Sequence, residues 1–205
     1  MNEKDHSMKR EIYATDGYFV LYRLAEEDKA NYMRLEKEDE TSLDSFANPK
    51  ISELLWQISM SGADWEFTIY DQDGEFYGIV MLKRPNSENP EIGIRLLKAK
   101  RNKSYGGKII KLLAQKAYKE RKTEYYLLRV KSDNLQSLRM IEKLGAEPVG
   151  TDHMFRIYIQ NIKKSIEKDT DESLKKKLEE CLLQMEKSPD CVYEYKLTPK
   201  VFLKT

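Results

Sequence analysis

Hydrophobic positions along the chain fall into stretches of period two, typical of strands, and stretches of helical spacing. Residues 18–24, YFVLYRL, are aromatic and branched and predict a first strand. Residues 26–37 form a charged, weakly periodic helix. Asn48-Pro49 then supplies a helix start: asparagine accepts an orphan N–H, and proline, lacking one, suits the first helical position. Ile51, Leu54, Leu55 and Ile58 follow at helical spacing and mark the apolar face of a short helix. Residues 65–70 and 75–83 are apolar segments around Asp71-Gln72-Asp73-Gly74, whose Asp-Gly pair supplies the positive φ of a tight hairpin. A Pro/Asn/Ser turn over 84–90 leads into a further strand, 91–97.

The second half alternates strand and helix. Residues 104–121 predict a helix with Ile109, Leu112, Leu113 and Ala117 on one face, and 125–130 predict a buried strand. Residues 134–144 predict another helix, with Leu138, Ile141 and Leu144 inward and Gly145 as its C-cap. Strand, turn, helix, twice over, implies some parallel pairing. A strand over about 149–159 follows. Ile162, Ile166, Leu174, Leu178, Cys181, Leu182 and Met185 then mark an amphipathic helical region, with Asp169 and Glu172 as a cap inside it. An alternating strand, 192–197, ends the pattern. The expected class is α+β: a mixed, mostly antiparallel sheet of six to seven strands flanked by helices, with an extra helical segment before the last strand. One domain, 1–205, is expected, with its core over 12–150 and a C-terminal strand, helical insertion and last strand over 151–205.

Composition narrows the function classes. A chain of 205 residues with 40% hydrophobic and 10% aromatic residues is ample for a packed core. Its 36 basic and 35 acidic side chains nearly cancel, so charge gives no reason to expect nucleic acid or a membrane as partner. Residues 1–11 are polar, without the apolar core of a signal peptide, and no apolar run reaches the ~18 residues of a membrane helix. Cys181 and Cys191 are too few for a disulfide framework and lack zinc-like spacing. A cytoplasmic protein without a metal site is expected.

Chemistry concentrates in one loop. The strand EIGIRLL, the loop Arg101-Asn102-Lys103-Ser104-Tyr105-Gly106-Gly107 and the helix that follows form a unit. A glycine pair at the mouth of a helix lets backbone approach a ligand, and the unpaired first-turn N–H groups favour an anion such as phosphate. Arg101, Lys103 and Lys108 add positive charge. A nucleotide-triphosphate loop, G-x-x-x-x-G-K-[ST], fails because Asn102 and Ile109 stand at required positions, and a G-x-G-x-x-G dinucleotide fingerprint is absent. The signature [RQ]-x-x-G-x-[GA] is met at both ends, with Ser104 at its middle; a serine suits that place if its φ is negative.

Residues 91–150 resemble the GCN5-related N-acetyltransferase (GNAT) superfamily, nearest its ribosomal-protein N-terminal acetyltransferase branch. The loop carries the likeness together with Asn134-x-x-Ser137 and the following Ile141-Glu142-Lys143-Leu144-Gly145-Ala146. The resemblance implies an acyltransferase that uses acetyl-CoA, whose pyrophosphate sits on the loop. It implies that backbone of Ile94, Arg95 and Leu96 hydrogen-bonds the pantetheine arm, with Asn134 and Ser137 also at the cofactor site. It places a general base at Glu91, about ten residues before the loop. A tyrosine that protonates the departing thiolate in many members is replaced by Ile141.

Such a reaction needs aligned reactants, a deprotonated amine and a stabilised oxyanion. The acceptor is a protein N-terminus or a small amine such as a polyamine, amino acid or antibiotic. Glu36, Glu38, Asp39, Glu40 and Asp44 either attract that cation or form a solvated helix end. The late stripe, 162–185, is packed core or a homodimer surface, and His6 and His153 carry no chemistry. Two rival readings stand: an acyl-CoA-binding regulatory module without efficient catalysis, and a protein-interaction module built on the charged late helices.

Overall fold

The structure, a computed structural model, describes residues 10–38, 49–152, 191–199 and 202, with scattered positions between 160 and 183. Two compact units make up the chain, Met1–Thr123 and Glu124–Thr205. In the first, five strands lie in the order β1 (Ile12–Thr15), β2 (Phe19–Arg23), β3 (Trp65–Asp71), β4 (Phe76–Lys83) and β5 (Glu91–Leu96), all paired antiparallel. Helices α1 (Lys29–Glu38), α2 (Pro49–Met60) and α3 (Tyr105–Glu120) accompany them. The β3–β4 hairpin turns where the Asp-Gly pair predicts. Asp71 Oδ1 accepts the N–H groups of Asp73 and Glu75, and Gly74 takes a φ of 80°.

Because opposed residues of a ladder share a face, the sheet sorts its side chains cleanly. Ile79 and Met81 face one side and join Tyr32 and Leu35 of α1 and Trp56 of α2 in a buried cluster. Phe67, Ile69, Val80 and Leu82 face the other. Helix α3 packs on β1, β4 and β5 and buries Ile109, Leu112, Leu113 and Ala117, the face expected of it, together with Ile110.

The apolar stripe of α2 is not what anchors it. Ile51, Leu54 and Ile58 are 41%, 57% and 55% exposed, whereas Trp56 is 1% exposed. The buried face runs through Trp56, Ser59 and Met60, and Leu55 is shared. One tryptophan ring buries more area than any of those aliphatic chains, and Tyr32 packs edge-on to it at 5.1 Å. The wheel therefore turns toward the tryptophan.

Two constraints hold this unit together. Asp28 closes the helical turn Glu26–Asp28 ahead of α1 and is wholly buried. Arg10 grips it bidentately at 2.9 and 2.7 Å, Tyr70 donates at 3.0 Å and the Ala25 N–H at 3.0 Å, so both oxygens are satisfied. The second constraint is a close approach of β4 to β5. The register shifts near Tyr77, and a Cβ on Gly78 would stand 2.1 Å from the Arg95 carbonyl oxygen and 2.9 Å from the Leu96 Cα. Only glycine fits between those backbones.

In the second unit the order is β6 (Tyr126–Lys131), β8 (Val192–Leu197), β7 (Glu147–Thr151), again antiparallel, with α4 (Leu135–Lys143) between β6 and β7 in sequence. Gly145, φ 78°, ends α4: its N–H reaches the Glu142 carbonyl and the Ala146 N–H that of Ile141, as a left-handed C-cap requires. Buried Glu194 is held by Arg129 at 2.9 Å. The expected strand reaches Thr151; its continuation, with His153, lies outside the described residues. Described positions between 160 and 183, among them Lys163, Ile166 and Lys175, are helical, and the other residues named for that stripe lie outside the description. Eight strands are present among the described residues, one more than the upper expectation. The addition is β1, four residues too short to show a period. No helix among the described residues is long and apolar enough to cross a membrane.

Asp28→Ala strands Arg10 and the Ala25 N–H, and is expected to cost about 3 kcal/mol in a urea titration. Gly78→Val forces β4 from β5 and is expected to cost about 2–4 kcal/mol in the same measurement.

Candidate active site

Strand β5 ends at Leu96, a helical turn follows at Lys98–Lys100, and the exposed loop 101–104 delivers the chain to α3. Its backbone is unusual. Asn102 and Ser104 have φ of 63° and 61°, the left-handed region that glycine favours. This corrects the sequence expectation for Ser104, which required a negative φ. A serine N-cap ordinarily sits in extended backbone and accepts a first-turn N–H. Ser104 is left-handed, and its side chain makes no cap hydrogen bond to α3. The start of the helix therefore presents its first-turn N–H groups and positive dipole end without an acceptor from its N-cap side chain.

Around that opening the loop is braced from below. Arg101 Nε donates to the Leu96 carbonyl at 2.9 Å, folding its chain back over β5. Lys100 pairs with Glu75 and lies 4.1 Å from the centre of the Tyr77 ring. Tyr105 packs edge-on against Phe19 and Tyr77, both at 5.4 Å, and tilts against Tyr18 at 6.2 Å. Hydrogen bonding to Tyr18 and then burial raise the Tyr105 and Tyr77 phenols above their ordinary values, so both stay neutral. Gly106 is buried and Gly107 half-buried, while Arg101, Asn102, Lys103, Ser104 and Lys108 are exposed. Tyr105 thus belongs to the loop's foundation by its ring, and to the opening only by its backbone.

The strand behind the loop serves a second purpose. Ile94, Arg95 and Leu96 pair with Val80, Ile79 and Gly78 of β4. The Arg95 side chain is committed: it is ion-paired with buried Glu36 of α1 and its guanidinium lies 5.6 Å from the Tyr32 ring centre. Lys98 N–H donates to Glu38 at 2.7 Å. Glu36 and Glu38 therefore tie α1 to β5, which removes Glu36 from the acidic set offered to a cationic acceptor. Asp39, Glu40 and Asp44 lie outside the described residues.

Glu91 is buried at the start of β5, where Lys83 reaches one oxygen at 2.9 Å and Arg84 the other at 3.2 Å. A second carboxylate on the same sheet face was not singled out from the sequence. Glu66 of β3 stands opposite Met81, which stands opposite Gly93, while Lys83 stands opposite Glu91. The signal was available: in WEFTIYD, Glu66 alternates with apolar Phe67 and Ile69 and so shares a face with Thr68 and Tyr70. Burial raises its carboxyl above the ordinary range, opposed by hydrogen bonding to Ser59.

Asn134 and Ser137 meet at the start of α4 in the second unit, where Asn134 Oδ1 accepts the Ser137 N–H at 3.0 Å as an N-cap. Ile141, in that helix, is 1% exposed and packed inside the unit. It offers no proton and no opening.

An acetyltransferase (GNAT) domain model matches residues 12–147, about two thirds of the chain. Among solved structures, the chain is similar to a chimera of the Vibrio cholerae spermidine N-acetyltransferase SpeG and hSSAT, at 16% identity and TM-score 0.64 over 92% of this chain and 99% of that one. It is similar to SpeG from the same organism in complex with manganese ions, at 15% identity and TM-score 0.61 over 91% and 95%. A dodecameric structure of that spermidine N-acetyltransferase matches at 14% identity and TM-score 0.62 over 92% and 98%. No curated protein sequence matches significantly. Loop, strand and helix fall inside the matched span, and the chain belongs to the GNAT acetyltransferase family, an acyltransferase of mixed, mostly antiparallel α/β fold.

Proposed function

We propose that this protein moves an acetyl group from acetyl-CoA to the primary amine of a small molecule, by direct attack in a ternary complex. The observation that carries the reading is the start of α3: an uncapped helix N-terminus, opened by left-handed Asn102 and Ser104, at the end of β5. These residues fit a pyrophosphate. The first-turn N–H groups from Tyr105 to Gly107 would hold its oxygens, Lys103 and the Arg101 charge would balance it, and Gly106 and Gly107 keep side chains out of the way. Backbone of Ile94, Arg95 and Leu96 would hold the pantetheine arm. Acetyl-CoA, when bound, would supply an acyl group already activated as a thioester.

The protein's own tasks are then to align the amine and take its proton. Among the described residues, the carboxylates on the α1- and α2-facing side of the sheet include Glu91, at the start of β5, and Glu66 of β3. A small-amine acceptor, with a polyamine as first choice, is supported by the solved neighbours described as spermidine N-acetyltransferases. A peptide N-terminus is the alternative acceptor. Buried Ile141, where many relatives carry a tyrosine, favours a second reading, an acyl-CoA-binding module without turnover.

Acetyl-CoA at about a hundred times its Kd is expected to add about 2.7 kcal/mol, raising Tm by about 5–10 °C. Gly107→Asp, which puts a carboxylate at the anion site, is expected to abolish that rise; a rise unchanged in the variant places the cofactor elsewhere. Thiol release with spermidine, an aminoglycoside, a free amino acid and a short peptide separates the enzyme from the module: binding with no turnover on all four supports the module.

Ser104 gives a separate expectation. Left-handed serine costs about 1–2 kcal/mol and a glycine's extra chain entropy about 0.5–1, so Ser104→Gly should change stability by about 1 kcal/mol or less. Ser104→Val, branched in the same region, should lower both Tm and the acetyl-CoA response.

A further inference from the structure

We infer that the outward face of α3 is a docking surface for the phosphate backbone of a nucleic acid. This partner is separate from the acetyl-CoA reading above and stands without it.

The near-zero net charge of the chain conceals a segregation. Residues 98–122 hold ten lysines and arginines and one acid, Glu120, a net charge of +9 against +1 for the whole chain. The remaining residues together therefore carry −8. Clustered charge of one sign creates a local field even where the total cancels. Part of the cluster is committed within the fold. Lys100 pairs with Glu75, Lys116 pairs with Glu120, and Arg121 donates to the Pro85 carbonyl at 2.8 Å. Lys103, Lys108, Lys119 and Lys122 are exposed and have no acidic partner among the described residues.

These lysines form a row. Helix α3 turns Ile109, Leu113 and Ala117 onto the sheet. Lys108, half-buried Lys111 and Lys119 fall within about 80° of one another around the helix axis, on the side away from those apolar residues. Lys122 stands just past the helix end, its ammonium 4.0 Å from the centre of the Tyr118 ring. At a helical rise of 1.5 Å per residue, the row from Lys108 to Lys122 is about 20 Å long. One strand of a duplex presents a charge about every 3.4 Å along its axis, so the row faces about six phosphates. A helix of 16 residues keeps it straight.

Three polyanions could face such a row: a nucleic acid, an anionic lipid surface and an acidic protein. A helix that lies on lipid buries an apolar face beside its cations. A protein interface centres on aromatic or apolar anchors and is depleted in lysine. No large hydrophobic side chain between residues 98 and 122 is exposed. The row offers charge with no apolar anchor, which suits neither lipid nor protein. It suits a phosphodiester backbone, where release of condensed counterions drives binding and no base need be read.

The far end of the row separates this surface from the cofactor loop. Lys119 and Lys122 lie at the opposite end of α3 from Ser104, so changing them leaves the start of the helix untouched.

The test is fluorescence anisotropy with labelled RNA and DNA duplexes of about 20 base pairs, in salt from about 50 to 200 mM. Wild type is expected to bind both in the micromolar range at the low-salt end, with a log–log salt slope of about −4. The double variant Lys119→Gln with Lys122→Gln should weaken low-salt binding about tenfold or more and flatten the slope by about 2. Its thermal response to acetyl-CoA should match wild type, which also shows that it folds. Lys37 of α1 and Lys143 of α4 are exposed and lie off the row. Changing both to glutamine should leave duplex affinity within about twofold. No binding to either duplex, an unchanged slope in the row variant, or an equal loss in the Lys37 and Lys143 variant overturns the surface. So does tighter binding to phosphatidylserine vesicles or to polyglutamate than to the duplexes. An acetyl-CoA response lost in the row variant assigns those lysines to the cofactor site and also overturns it. Duplex binding as expected, with no acetyl-CoA response in wild type, overturns the acetyl-transfer reading alone.

Discussion

The start of α3 is a helix end that its own sequence leaves unfinished. Four N–H groups at any helix start lack partners within the helix, and a side-chain cap is the ordinary remedy. Here the N-cap serine is left-handed and does not cap, two glycines follow it, and the loop before it is exposed. Such an end is tolerated only if water or a ligand anion completes it. Much of the surrounding structure holds that opening in shape. Tyr105 roots the first helical residue in an aromatic cluster, Arg101 folds back on β5, and Lys100 reaches Glu75. Behind them Gly78 lets β4 approach β5 where the loop departs.

The other side of the sheet answers a different need. Buried carboxylates are stable chiefly when paired, and one left out of the ion-pair network gains proton affinity from its burial. The first unit shows both solutions. Asp28 is saturated by Arg10, Tyr70 and backbone, and Glu36 by Arg95; Glu91 has two cations. Those residues build the scaffold. Glu66, whose buried Oε2 has no hydrogen-bond partner among the described residues and whose carboxyl is raised by burial, is the exception among them.

Much of this was legible in the sequence, for physical reasons that also mark where it stopped. Strands β2 to β6 and β8 announce themselves by branched and aromatic runs, and α3 by a long helical period. The loop declares itself through its glycine pair and cations. What failed turned on competition that period alone does not weigh. The α2 stripe of Ile51, Leu54 and Ile58 has the right spacing, yet Trp56 and the Ser59 hydroxyl have more to bury or bond. Ser104 looked like a tolerable replacement for glycine, but its φ is set by the loop's exit into α3, which spacing does not encode. Glu91 stood at the family's position for a base; its two cations come from residues eight and seven positions earlier, brought over by the β4–β5 turn. Glu66 carried a visible sign, an acidic side chain on the inward parity of an apolar strand.

The central claim is that the open N–H groups at the start of α3 bind the anion of acetyl-CoA. Hydrogen exchange resolved to single amides tests this without relying on turnover. Adding acetyl-CoA is expected to slow exchange most strongly at the amides of Ser104 to Lys108, with the far end of α3 unchanged. Binding that leaves those amides exchanging as before would contradict the account.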